Sequence, residues 1–65
     1  METIITTDDD LLTTEELARI TGLAVITLQH WRAEDYGPAY LKLGRAVRYE
    51  RDAVAQFFSE HRYAA

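Results

Sequence analysis

The chain contains no cysteine, which excludes a disulfide framework and a thiolate zinc site. That composition suits a reducing cytoplasm. No apolar run is longer than Leu23-Ala24-Val25-Ile26, far too short to span a bilayer. Met1-Glu2-Thr3-Ile4-Ile5 lacks the basic segment and long apolar stretch of a signal peptide. No membrane partner is therefore expected. Serine occurs once, at Ser59, and His30 and His61 have no acid or nucleophile at a useful spacing. Catalysis finds little support in such a chain, and neither a cofactor nor a small-molecule substrate is expected. There is no internal repeat and no low-complexity tract.

Base is scarce as well. The formal net charge is −4, which at first argues against a nucleic-acid partner, because phosphates are neutralised by Lys and Arg. The distribution reverses that first impression. Residues 1–18 carry Glu2, Asp8, Asp9, Asp10, Glu15 and Glu16 with no base, a balance of −6. Residues 19–48 carry Arg19, Arg32, Lys42, Arg45 and Arg48 against Glu34 and Asp35, a balance of +3. A local basic face matters more for phosphate contact than the total. The total still predicts weak non-specific binding.

With 65 residues the chain is long enough for one domain. A domain near this size buries only about 60% of the surface its unfolded chain exposes. Residues 1–10 read as a flexible arm, 11–62 as the domain and 63–65 as a tail. Asp8-Asp9-Asp10 has two readings, a metal site or a solvated leader. The absence of a neighbouring ligand cluster favours the leader, so no metal is expected.

Thr13 and Glu16 have the spacing of a capping box, with Leu12 and Leu17 in the two staple positions. A helix is predicted from there, with Leu17 and Ile20 facing inward. Gly22 suits the left-handed residue that ends a helix, and Leu23 should drop into the core. A second helix is predicted from about Ala24 to Ala33, with Leu28 and Trp31 inward and Val25, Ile26, Gln29, His30 and Ala33 on the other faces. Val25 and Ile26 either extend the core or meet thymine methyls in a major groove. Glu34-Asp35-Tyr36-Gly37-Pro38 reads as a loop. Tyr40–Leu43 and Val47–Glu50 alternate around Gly44-Arg45-Ala46, the pattern of a β-hairpin. With that turn, Leu41, Leu43, Val47 and Tyr49 share the core face, and Lys42, Arg48 and Glu50 point away. A last helix is predicted from about Arg51 to His61, covering the core with Val54, Phe57, Phe58 and His61.

The order helix, turn, helix, hairpin, helix is that of a winged helix-turn-helix: mainly α, with a small β-hairpin as the wing. At this point the sequence resembles the MerR-type winged domains of phage excisionases, or recombination directionality factors. The resemblance runs from Leu11 to Phe58. It rests on Leu-Thr-Thr-Glu-Glu-Leu-Ala (12–18), Thr-Gly-Leu (21–23), Thr-Leu-Gln-His-Trp (27–31), the hairpin Gly-Pro-Ala-Tyr-Leu-Lys-Leu-Gly-Arg-Ala-Val-Arg-Tyr (37–49) and Asp-Ala-Val-Ala-Gln-Phe-Phe (52–58).

The resemblance implies roles for particular residues. The second helix would enter the major groove, setting Val25, Ile26, Gln29 and His30 against base edges. Arg19, Arg32, Lys42 and Arg48 would meet the DNA backbone, and Arg45 at the wing tip the minor groove. Each has a plainer reading: Gln29 and His30 as surface residues, Arg45 as a solvated turn residue, Arg48 paired with Glu34 or Glu50. The chain departs from the family pattern at Ala24, where relatives cap the helix with Ser or Thr, and at Val25, where they often have Arg. The missing cap corresponds to roughly 1 kcal/mol of helix stability. The function implied is architectural. The protein would bind repeated duplex sites beside an attachment site, bend the DNA and direct an integrase (a tyrosine recombinase or another class) towards excision. Copies would sit side by side on the DNA. A transcriptional regulator with the same fold, or a protein-interaction adaptor using the acidic N-terminal third, are the alternatives.

Overall fold

The computed structural model describes residues 10–63. The arm expected over 1–10 lies outside the described residues except for Asp10, and of the tail only Tyr63 is described. The elements are β1 (Leu11–Leu12), α1 (Thr14–Thr21), α2 (Val25–Ala33), β2 (Tyr40–Leu43), β3 (Ala46–Glu50) and α3 (Arg51–Glu60). Three helices and a small antiparallel sheet in this order form a winged helix-turn-helix.

The capping box opens α1. The Thr13 N–H donates to Glu16 Oε1 at 2.9 Å, and the Glu16 N–H donates to Thr13 Oγ1 at 3.0 Å. The Thr13 N–H, first of all, holds the Glu16 carboxyl below its ordinary value, with the Thr13 hydroxyl and the charges of Arg19 and Arg51 adding to it against partial desolvation. Leu12 and Leu17, in the staple positions, both enter the core. The helix ends on Gly22, left-handed at φ 78, whose N–H donates to the Ala18 carbonyl. The Thr21 hydroxyl also closes this end. It donates to the Leu17 carbonyl at 2.9 Å and accepts from the Leu23 N–H at 3.2 Å. The turn is therefore held by two residues rather than by glycine alone. The N-cap of α2 is Ala24, which makes no side-chain cap bond, as its sequence departure implies.

The core consists of Leu12, Leu17, Ala18, Leu28, Tyr49 and Val54, with Leu23, Val25, Trp31 and Val47 packed against it. Three expectations require correction here. Ile20 is not inward: it is 56% exposed, because α2 covers only the Leu17–Ala18 side of a short helix. Val25, placed on an outer face with a core reading left open beside it, is half-buried against the core. In α3, Val54 is buried and Phe57 half-buried, whereas Phe58 and His61 are exposed, so the helix rests on the core over a narrower stripe than its apolar pattern indicates.

The sheet has the order β1-β3-β2. Its first strand was not apparent in the sequence: two residues are too few for any alternation to show. Leu12 pairs with Tyr49 and Leu11 with Glu50, and the Arg51 N–H donates to the Asp10 carbonyl at 3.1 Å, extending the ladder.

The hairpin register is the main correction. Tyr40 pairs with Tyr49, Leu41 with Arg48, Lys42 with Val47 and Leu43 with Ala46. The turn is therefore Gly44-Arg45 alone. Gly44, at φ 64, occupies the first central position and Arg45 has a negative φ, the pattern of a type II′ turn. Adding Ala46 to the turn would have set Leu41 and Leu43 opposite Tyr49 and Val47. Removing it shifts the pairing by one residue and turns one strand over. Tyr40, Lys42, Val47 and Tyr49 thus share the inner face. Leu41, Leu43, Ala46 and Arg48 share the outer one.

Between α2 and β2 the chain passes over Trp31. Gly37 has φ 101, and a Cβ there would lie 2.8 Å from Trp31 Cε3. The Tyr36 ring meets Trp31 edge-on, with centroids 5.0 Å apart. Gly44 has open space around its Cβ position, so the two glycines separate backbone strain from collision. Gly44→Ala should cost about 1–3 kcal/mol, the backbone strain of a positive-φ position alone. Gly37→Ala should cost more, roughly 2–4 kcal/mol, because strain and a clash combine. Urea denaturation of both variants measures the difference. Glu16 gives a second prediction. A carboxyl whose folded pKa is lowered adds stability above its unfolded value and loses it as pH falls through the folded one. The stability advantage of the wild type over Glu16→Ala should be full near neutral pH and shrink as pH falls below 4.5, as thermal melts across that range would show.

Candidate nucleic-acid interface

The exposed side of α2 carries Ile26, Gln29, His30 and Ala33. Ile26 is 54% exposed. Leu28 on the opposite side is 1% exposed. The helix therefore offers a mixed apolar and polar face, with Gln29 and His30 one turn beyond Val25 and Ile26. Of the four residues expected at base edges, three are together on this surface. Val25 lies at its margin, turned towards the core.

Arg32 is on the last turn of α2 and is half-buried. Its Nη1 donates to the Tyr49 hydroxyl at 2.7 Å and to Thr14 Oγ1 at 3.2 Å. Its guanidinium also lies 5.6 Å from the Tyr40 ring centroid and 5.8 Å from that of Tyr49. Tyr49 is 1% exposed and Thr14 8%, so a charged donor satisfies two buried hydroxyls at once. Arg32 thus connects α1, α2 and both strands of the wing. The expectation for Arg32 described only a phosphate contact and missed this structural role. Thr14 was missed with it, and Tyr49 was expected as a core-facing residue without this partner, since the three are joined only by tertiary packing.

The basic residues of the wing separate. Lys42 and Arg45 line an open notch with Arg32, Ala33, Tyr40, Gly44 and Val47, about 490 Å³ in volume. Lys42 was expected to point away from the core side. The register places it on the inner face, towards α2. Arg48 is on the outer face, and its Nη1 donates to the Val47 carbonyl at 2.8 Å. Neither Glu34 nor Glu50 is its hydrogen-bond partner among the described residues. Arg19 is exposed in the last turn of α1, away from this notch. Arg45 is exposed at the tip. The structure therefore brings Arg32, Lys42 and Arg45 together and leaves Arg19 and Arg48 elsewhere. Tyr40, 39% exposed, was read as hairpin packing, yet it lines the same notch. Its position two residues from Lys42 was the available signal, readable only with the register known.

At the other end of the domain, Ser59 Oγ donates to the Gln56 carbonyl. His61 Nδ1 meets the Phe57 carbonyl at 2.8 Å, and its Nε2 lies 3.2 Å from the Tyr36 hydroxyl. These groups tie α3 to itself and to the loop after α2. Among the described residues no group of three or more His, Cys, Asp or Glu could hold a metal ion. No helix among them is long and apolar enough to cross a membrane.

A helix pair joined at a left-handed glycine, with an exposed second helix and a basic hairpin beside it, defines a helix-turn-helix protein of the winged type. The comparison with protein families agrees. Residues 11–62 match the model of the helix-turn-helix domain, and the chain belongs to that family, a DNA-binding domain found in excisionase-like proteins. No curated protein matches the chain at a significant level.

The Arg32 node carries a stability prediction. Arg32→Met keeps the apolar stem and removes the donor, leaving the Tyr49 hydroxyl buried without it. A loss of about 1–3 kcal/mol is expected. Adding Tyr49→Phe should recover part of that loss, because the orphaned hydroxyl is then gone. Chemical denaturation of the two single variants and the double variant measures the coupling.

Proposed function

We propose that this protein binds a specific duplex DNA site as an excisionase, with α2 in the major groove and the wing against the backbone and adjacent minor groove. What carries the reading is one arrangement: the last turn of α2 and the wing line a single open basic notch, beside the exposed Ile26, Gln29 and His30. Ile26 and the margin residue Val25 suit thymine methyls. Gln29 suits a bidentate pair with adenine, and His30 a base or phosphate. Arg32 and Lys42 suit the backbone from within the notch. Arg19 and Arg48 suit it only where the DNA reaches past α1 and the outer wing. Arg45, exposed at the type II′ tip, suits a narrow minor groove, where the negative potential is greatest.

The role is architectural. A module this small contacts few base pairs, so several copies on repeated sites would supply the specificity. Bending beside an attachment site would let an integrase assemble for excision and disfavour re-integration. The excisionase reading rests on the resemblance of the hairpin and helix motifs, together with membership of a domain family found in excisionase-like proteins.

Gel shifts on attachment-site DNA test the first step. Binding should fall steeply with salt, as expected when phosphate contacts release counterions. Arg45→Ala should weaken it by about tenfold, the scale of one specific contact; unchanged affinity would remove the wing tip from the interface. An in vitro excision reaction tests the second step. Excision should depend on adding this protein to integrase, and equal yields with and without it would refute the role.

A further inference from the structure

We propose that the notch between α2 and the inner face of the wing is the seat of one DNA phosphate, with the Tyr40 hydroxyl as an uncharged donor beside Arg32 and Lys42. This rests on the DNA-binding reading above and adds to it a ligand position and a residue.

Four observations converge on the notch. Its lining holds three cations and no carboxylate, in a chain whose net charge is −4. Like charges gathered on one concave surface raise the local positive potential and favour an anion there. The guanidinium of Arg32 is already held by Tyr49 and Thr14. Both bonds use Nη1, so its remaining nitrogens are positioned in advance for a further acceptor. Lys42 and Arg45 make no hydrogen bond or ion pair among the described residues, and the Tyr40 hydroxyl makes no hydrogen bond among them. Finally, the register sets Tyr40 and Lys42 two residues apart on one strand face, so their polar ends approach the notch from the same side.

The notch is open rather than enclosing. A small ligand is normally buried over most of its surface, whereas a polymer backbone needs only a seat as it passes. A phosphodiester carries one charge and two free acceptor oxygens. Arg32 on α2 and Lys42 on β2 are suited to hold it from two sides. Such a contact carries no sequence information but positions the protein. Here it would set the angle between the reading helix and the wing, because Arg32 belongs to one and packs on the tyrosines of the other.

The experiment is a binding titration of the full chain with a short mixed-sequence duplex at several KCl concentrations, using wild type, Lys42→Gln and Tyr40→Phe. Lys42→Gln should lower the slope of log affinity against log salt by about one. Tyr40→Phe keeps the ring against Arg32 and Tyr49 and should weaken binding about three- to tenfold, equally on unrelated sequences. Unchanged melting temperatures would place both effects at the interface. If the wild type binds the duplex and both variants match it, the phosphate seat is overturned while DNA binding stands. If the wild type binds no duplex, both fall. Orthophosphate added alone separates the sources: amide shifts at residues 40–47, with duplex affinity unaltered in both variants, would make the notch a free-anion site and overturn the DNA assignment.

Discussion

The hydrogen bond from Arg32 to the Tyr49 hydroxyl holds the architecture to one geometry. A domain this small has a core of few residues, and apolar contact alone leaves the angle between a helix pair and a hairpin poorly defined. Tyr49 is the largest side chain in the core that is fully buried, and its hydroxyl needs a partner there. Arg32 supplies that partner from α2, bonds Thr14 on α1 and stacks against Tyr40 on the neighbouring strand. A planar guanidinium suits this role because it donates and stacks at the same time. The helix-turn-helix and the wing are thereby one body, and the residue that joins them stands at the edge of the proposed DNA surface.

The second constraint is the parity of the hairpin. A two-residue turn at Gly44-Arg45 decides which side chains face α2. It sends Lys42 to the inner face and Leu41, Leu43 and Arg48 to the outer one. The basic notch exists because of this register. The same register lets Tyr49 reach the core while Tyr40, opposite it, remains at the rim. Short-range chemistry at one glycine thus determines which cations gather in the notch.

Stability is distributed unevenly. The capping box and Thr21 fasten α1 at both ends, whereas α2 begins on Ala24 with no side-chain cap. α2 is held instead by Val25 and Leu28 at the core, Arg32 on Tyr49 and Trp31 under the Gly37 backbone. The aromatic contacts of Trp31, Tyr36 and Phe57 then tie α3 to the loop that follows α2. The end of α2 nearest the wing is the more firmly anchored, which suits a helix whose geometry relative to the wing matters.

Much of the fold was legible in local chemistry. The capping box at Thr13 and Glu16, the left-handed Gly22, the missing cap at Ala24 and the extent of the three helices follow from interactions within four residues along the chain, and the structure contains them all. The excess of base between Arg19 and Arg48 was also legible. Other features depended on contacts distant in sequence. β1 is two residues long and exists only because β3 accepts it. The inner and outer faces of the wing depended on one residue of turn length, which alternation alone does not resolve. Ile20 and Phe58 have the spacing of core residues but no neighbour to cover them. The joining of Arg32 to Thr14 and Tyr49, and the gathering of Arg32, Lys42 and Arg45 with Tyr40 around one notch, were decided by tertiary structure. Local sequence determines hydrogen bonds that close within a turn, whereas partners across elements are chosen by packing, because only the assembled core sets the distances between them.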